Sequence, residues 1–490
     1  MSTSQCWKCL VARPVTAQFA PTLAVRLAAP ARKFSTTAML AAGPPTKTPK
    51  MVAGKSKGAK TLRIKKKAFV KTGKPPAAGE RKAMRKRIVL SNTNALEVED
   101  LRDLNGKLVD ELLQQDAEAR PNKGSLAAVV MGEDEPRMVG QVVGLNGVTV
   151  DSLRAVEAFK TTQGWGIFRR PAVLIRGESV VMARRMMEAE GKAETIRMVL
   201  DGDKGTGKSL MMLSAMATAF AKGWVVINIP EAQEVTNAMT AYAALPNTNP
   251  TLWSQNTYIA NWLSQIAKAN IAVLQSFTLP EELTAPITVP KGTTLFRLCE
   301  LGARDPEIAW PMFEAFWSEL ATPGHPPVLM CLDGLSFAMQ DSLYRAQDFS
   351  LIHAHDLAVI RHFVDHLSGT KKLPNGGAVL AATSRSHAPV SKSLNLAIKQ
   401  AEDRQAGRNI TPKDPFEKAY DARADKVLSS VEVMRLKGLT KREARGLMEY
   451  WAKSGVLRCQ VDEETVAEKW ALAGNGVVAE IQRAALWMRM

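Results

Sequence analysis

IRMVLDGDKGTGKSLMMLSAMATAFAKGWVVINIP, Ile196 to Pro230, is the stretch whose reading decides the fold. Ile196 to Leu200 is a short apolar run suited to a buried strand. GDKGTGKS, Gly202 to Ser209, then satisfies G-x-x-x-x-G-K-[ST] at every specified position. Leu210, Leu213, Met216, Ala217 and Phe220 recur at helical spacing, and Val225–Ile229 reads as the next strand. A chance match in a turn would lack this order of strand, glycine-rich turn and helix N-terminus. Backbone N–H groups released by the glycines, together with the helix dipole, favour an anion there. The candidate phosphate cradle is therefore Gly202, Asp203, Lys204, Gly205, Thr206, Gly207, Lys208, Ser209 and Leu210. Lys208 would reach the β- and γ-phosphates, and the Ser209 hydroxyl would sit on Mg²⁺.

A second apolar run, PPVLMCLD, ends in Asp333. A buried strand of an open α/β sheet delivers such a carboxylate to the edge where ligands bind. Any α/β strand can end in Asp, so the signal gains weight only beside the loop at 202–209. Asp333 is the candidate second metal-side residue, acting on Mg²⁺ through water. The next residue is Gly334, where an active hydrolase of the AAA+ kind carries a water-polarising Glu. Glu231 and Asp341 are the acids left to act from elsewhere. Binding is thus better supported than turnover, which also needs an oriented water and usually an arginine finger. A further strand, GAVLAATS, ends in Thr383 and Ser384, candidate γ-phosphate sensors whose plain alternative is strand termination.

Charge divides the 490-residue chain. Residues 1–91 carry 21 of the 65 Lys and Arg and one of the 48 acids, Glu80, leaving 44 basic against 47 acidic residues beyond. The basicity belongs to a tail and not to a basic domain. Residues 1–34 contain no acid, are rich in Ala, Arg, Ser and Thr, and read as a mitochondrial transit peptide. Residues 35–91 read as a disordered arm. Its Arg63, Lys65, Lys66, Lys67, Arg81, Lys82, Arg85, Lys86 and Arg87 suit contact with RNA phosphates more than base reading, since Phe69 is the only aromatic between Ala41 and Ser91. A solvated linker is the plain alternative.

No apolar stretch is long enough for a membrane span. Five cysteines are too few for a disulfide framework. Cys6 and Cys9 form a lone C-x-x-C in the presequence, while Cys299, Cys331 and Cys459 read as buried apolar residues. His362 and His366, spaced i, i+4, lack the Glu and third ligand of a zinc site and read as helix surface or packing.

The remaining chain falls into a helical and mixed region over 92–165, a nucleotide-binding domain over 166–391, and a helical, winged-helix-like appendage over 392–490. Within these, Ser91–Gln115 reads as one helix capped by Asn92 or Asn94, and residues 231–320 as a helical insertion whose tryptophans are core. Val431–Leu436 reads as a strand-like piece of the appendage. The fold class is α/β: a parallel sheet of the P-loop NTPase kind, AAA+- or STAND-like.

IRMVLDGDKGTGKS, GWVVINIPEAQEV, VLMCLDGLSFA, GGAVLAATSRS and VMRLKGLTKREARGLMEYW, in this order, resemble the death-associated protein 3 family of mitochondrial small-ribosomal-subunit proteins. The likeness runs from about residue 140 to the C-terminus. It implies a structural constituent of the small-subunit head that contacts ribosomal RNA, neighbouring ribosomal proteins and, near the subunit interface, large-subunit proteins. It also implies a bound guanine nucleotide, GTP or GDP, with Mg²⁺ on Ser209 and Asp333, and slow or no hydrolysis. The residues do not select guanine: N-K-x-D is absent, and ATP fits as well. The competing readings are an active matrix ATPase or GTPase and a transient small-subunit assembly factor.

Overall fold

The computed structural model describes residues 88–119, 136–284, 286–417 and 420–486. The transit segment and the basic clusters at 63–67 and 81–87 lie outside them. Five parallel strands form the central sheet: β1 (Thr195–Asp201), β2 (Val225–Ile229), β3 (Val328–Asp333), β4 (Gly377–Ala382) and β5 (Glu432–Arg435). Their order across the sheet is β5-β1-β4-β3-β2. β2, β3 and β4 are buried at every position, as apolar runs covered on both faces must be.

Side chains alternate between the faces with the period of two that a strand imposes. Met198, Leu200, Leu329, Cys331, Leu380 and Met434 join one apolar cluster. Val199, Ile227, Met330, Leu332, Val379 and Val433 join the other. The first face is covered by α1 (Gly106–Ala119), α2 (Gly147–Ala155), α3 (Gly177–Lys192) and α4 (Lys208–Ala221). The second is covered by α5 (Asn256–Ala269), α6 (Leu295–Arg304), α7 (Ala309–Leu320), α8 (Ala358–Leu367) and α9 (Lys392–Gln405). Trp262 and Trp310 are buried in that second layer, as their apolar setting predicts.

Register fixes where the chemistry can gather. Ala382 of β4 pairs with Leu200 on one side and with Asp333 on the other. The C-terminal ends of β1, β4 and β3 therefore finish level, bringing the loop after β1, the residues after β4 and Asp333 to one sheet edge.

Four features differ from the sequence reading. The first helix starts at Gly106, where the Asn105 side chain accepts from Leu108 N at 2.8 Å. Asn92 instead accepts from Asn94 N at 3.0 Å, a local turn that competes with helix. Glu432–Arg435 belongs to the central sheet beside β1 and is not an appendage strand. Beyond it, α10 (Lys441–Lys453), α11 (Glu463–Leu472) and α12 (Val478–Leu486) share a small core around Leu439, Met448, Trp451 and Ile481. Among the described residues no β-hairpin wing accompanies these three helices. Cys299 and Cys331 are buried, but Cys459 is exposed in the connection between α10 and α11.

Candidate functional site

The loop predicted to cradle phosphate joins β1 to α4. Gly207 stands at the N-cap with φ +95°, a left-handed value that a side chain would strain. No side-chain acceptor caps the helix, so its first-turn N–H groups remain available to an anion. Lys208 is buried, and its Nζ donates to the carbonyls of Gly202 at 2.7 Å and Asp203 at 2.8 Å. Burial draws its ammonium below the ordinary lysine value, against the pull of Asp201.

Neighbours on both sides of the chain hold this loop. The Thr206 hydroxyl donates to Asp203 O at 2.9 Å. Buried Arg176 donates to Thr206 O at 2.9 Å, to Glu178 at 3.0 Å and to Lys437 O at 3.0 Å. From α12, Ala479 N donates to Gly205 O at 3.1 Å.

The two predicted metal-side residues meet. Ser209 Oγ donates to Asp333 Oδ2 at 2.6 Å. The same carboxylate oxygen accepts from Lys160 Nζ, a partner that the sequence did not suggest. Gly334 adopts φ +86°, so the position after Asp333 is shaped for glycine and not for the Glu of an active hydrolase.

A second carboxylate lies at the end of β1, across β4 from Asp333. This residue, Asp201, is 1% exposed and accepts from Thr383 Oγ1 at 2.7 Å. Arg385 donates to both its oxygens, at 3.1, 3.0 and 2.9 Å, and Arg435 adds a contact at 3.3 Å. Burial raises the Asp201 carboxyl, but the hydrogen bonds from Arg385 and Thr383 outweigh it and hold the group below its ordinary value. The hydroxyl of the candidate sensor Thr383 is thus engaged by Asp201, while that of Ser384 faces Ser386 Oγ at 3.3 Å. Arg176 and Lys160 carried no motif, and Arg385 and Arg435, although they lie within GGAVLAATSRS and VMRLKGLTKREARGLMEYW, get their partners only from the fold.

Of the two acids considered for water activation, Glu231 lies 3.5 Å from His387 Nε2. Asp341 pairs with His353 on a two-stranded ribbon. His362 and His366 are buried against Trp317, which bears out packing. Among the described residues no group of three or more His, Cys, Asp or Glu could hold a metal, and no helix is long and apolar enough to cross a membrane. A cavity of about 520 Å³ lined by Trp310, Phe313, Trp317, Arg361, His362 and Lys371 shares no residue with the loop.

The donor set at the loop suits a nucleotide phosphate with a hard cation. One hydroxyl and one carboxylate point oxygen at the same place, and hard metals take oxygen. The family model for mitochondrial ribosomal death-associated protein 3 matches residues 173–484. The chain belongs to this family. A family relative, the small ribosomal subunit protein mS29 of Neurospora crassa, is 45% identical over 492 residues, covering 99% of each chain. The matched residues span all five strands of the sheet, the glycine-rich loop and most of the three C-terminal helices.

Proposed function

We propose that the chain is a structural constituent of the mitochondrial small ribosomal subunit, in the matrix, and that it holds a purine nucleotide with Mg²⁺ at residues 202–210. Membership of the family and the near full-length likeness to a small-subunit protein support the first part. The observation that carries the second is the hydrogen bond from Ser209 to Asp333 beside an uncapped helix N-terminus. The strand order supports a P-loop NTPase fold of the AAA+ or STAND type: β4 stands between the strand feeding the loop and the strand ending in Asp333.

In this reading the loop N–H groups and Lys208 bind the phosphates. The Ser209 hydroxyl and, through water, Asp333 hold Mg²⁺, which neutralises phosphate charge when bound. GTP, GDP and ATP share these contacts. The residues at the site retain more than they turn over: Gly334 supplies no base, and Thr383 is engaged with Asp201. Bound nucleotide would tie β1, α4 and β3 together, stabilising the domain by mass action. The basic arm, including Arg63, Lys65–Lys67, Arg81, Lys82 and Arg85–Arg87, would meet ribosomal RNA phosphates. Neighbouring proteins, of the large subunit among them near the interface, would be its further partners.

A gradient of matrix extract tests the assembly role. Stable co-sedimentation with small subunits is expected, and migration as free protein or as a homo-hexamer would contradict it. A turnover assay tests retention: hydrolysis above about 1 s⁻¹, within the ordinary enzyme range, would favour an active NTPase instead.

A further inference from the structure

We propose that Lys160 is a resident cation of the nucleotide site, masking Asp333 so that a nucleoside diphosphate is retained when Mg²⁺ is removed. The proposal rests on the nucleotide-site reading above and deepens it.

Lys160 pairs with the carboxylate oxygen that also accepts from Ser209, so it reaches the point where the loop meets β3. Asp333 is 8% exposed, and water alone does little to screen a charge at that depth. With no partner, its carboxylate would repel an incoming phosphate unless a metal bridged the two. With Lys160 in place, that repulsion is offset before any ligand arrives.

The lysine is also presented by a fixed scaffold. Its backbone N donates to Gln163 Oε1 at 2.8 Å, and the same oxygen accepts from Trp165 Nε1 at 2.6 Å. Trp165 is buried and packs edge-on against Phe159, with ring centroids 5.1 Å apart. Upstream, Val156 O accepts from Asn228 Nδ2 of β2 at 2.8 Å, which ties the segment to the sheet. A surface lysine pairing by chance would have no such frame. Together Lys208 and Lys160 bring two ammonium groups to the loop, enough to offset part of a diphosphate's charge without a divalent ion.

The test is the affinity of the full-length protein for GDP and for ADP, by calorimetry, in Mg²⁺ and in excess EDTA. For the wild type, removing Mg²⁺ is expected to weaken binding no more than about threefold. Lys160→Met should bind at least about tenfold more weakly in EDTA, recover in Mg²⁺, and be matched to wild type by Lys160→Arg. A wild type that loses binding in EDTA would overturn the proposal and leave the nucleotide reading standing. So would a Lys160→Met protein with the wild-type response to EDTA. No binding by any protein, with or without metal, would remove the nucleotide reading itself. If Lys160→Met fails to fold, the EDTA response of the wild type still decides.

Discussion

Ser209 and Asp333, 124 positions apart in sequence, meet at 2.6 Å, hydroxyl to carboxylate. That bond joins the start of α4 to the end of β3 across the intervening β4. It turns two separate sequence signals into one site, and the consequences can be measured.

Lys208→Ala should abolish the thermal stabilisation that GDP or ATP gives the wild type. The variant also loses two hydrogen bonds from a buried ammonium, worth about 1–3 kcal/mol together, so its own melting point falls even without ligand. Thermal unfolding with and without nucleotide separates the two effects. An unchanged ligand-induced shift in the variant would count against the phosphate role of this lysine.

Restoring the acid that active hydrolases carry should not create one here. Gly334→Glu places a side chain at φ +86°, costing about 1–2 kcal/mol. The expected result is a lower urea midpoint with no gain in hydrolysis. A gain in rate of tenfold or so, about 1.4 kcal/mol of barrier, would show that the missing Glu alone limits turnover.

Asp201→Asn tests the buried carboxylate at the end of β1. The substitution removes the charge that Arg385 and Arg435 share. Breaking a buried pair from one side costs about 3–5 kcal/mol, and these arginines reach solvent, so a loss of about 2–3 kcal/mol is expected. Chemical unfolding reads it directly. A neutral result would mean that the network adds nothing to the fold.

Four histidines give the pH dependence. Burial holds His353, His362 and His366 below the ordinary value and His355 down to about 3. Each therefore binds its proton less readily in the fold than in the unfolded chain, where it does so below about pH 6.5. Their contribution is complete above that pH and is lost on acidification, by up to about 1.4 kcal/mol per pH unit for each group. Melting points from pH 8 to pH 5 should fall, and His362→Phe, set among Phe313 and Trp317, should flatten the slope. A slope unaltered by that change would remove His362 from the account.

The loop, Asp333 and most of the parallel strands were legible because each is local: a motif, an apolar run, a helical period. β1 to β4 and α4 could be read this way, and α5 and α7 as parts of a helical insertion. What escaped depends on long-range placement. Nothing in Glu432–Arg435 says that it pairs with β1, and one lysine among many gives no sign that it will reach Asp333. Thr383 was legible as a polar strand end, but its partner Asp201 comes from a strand far away in sequence. Asn92 looked like a cap because its side chain can serve a turn equally well.

The central claim is that this family member keeps a nucleotide within the small subunit. The most direct measurement is the nucleotide content of small subunits purified through the tagged chain, released by acid and quantified by chromatography. The account predicts a stoichiometric purine nucleotide with the wild-type chain and its loss with Lys208→Ala. Subunits that carry none, or that carry the same amount with Lys208→Ala, would contradict it.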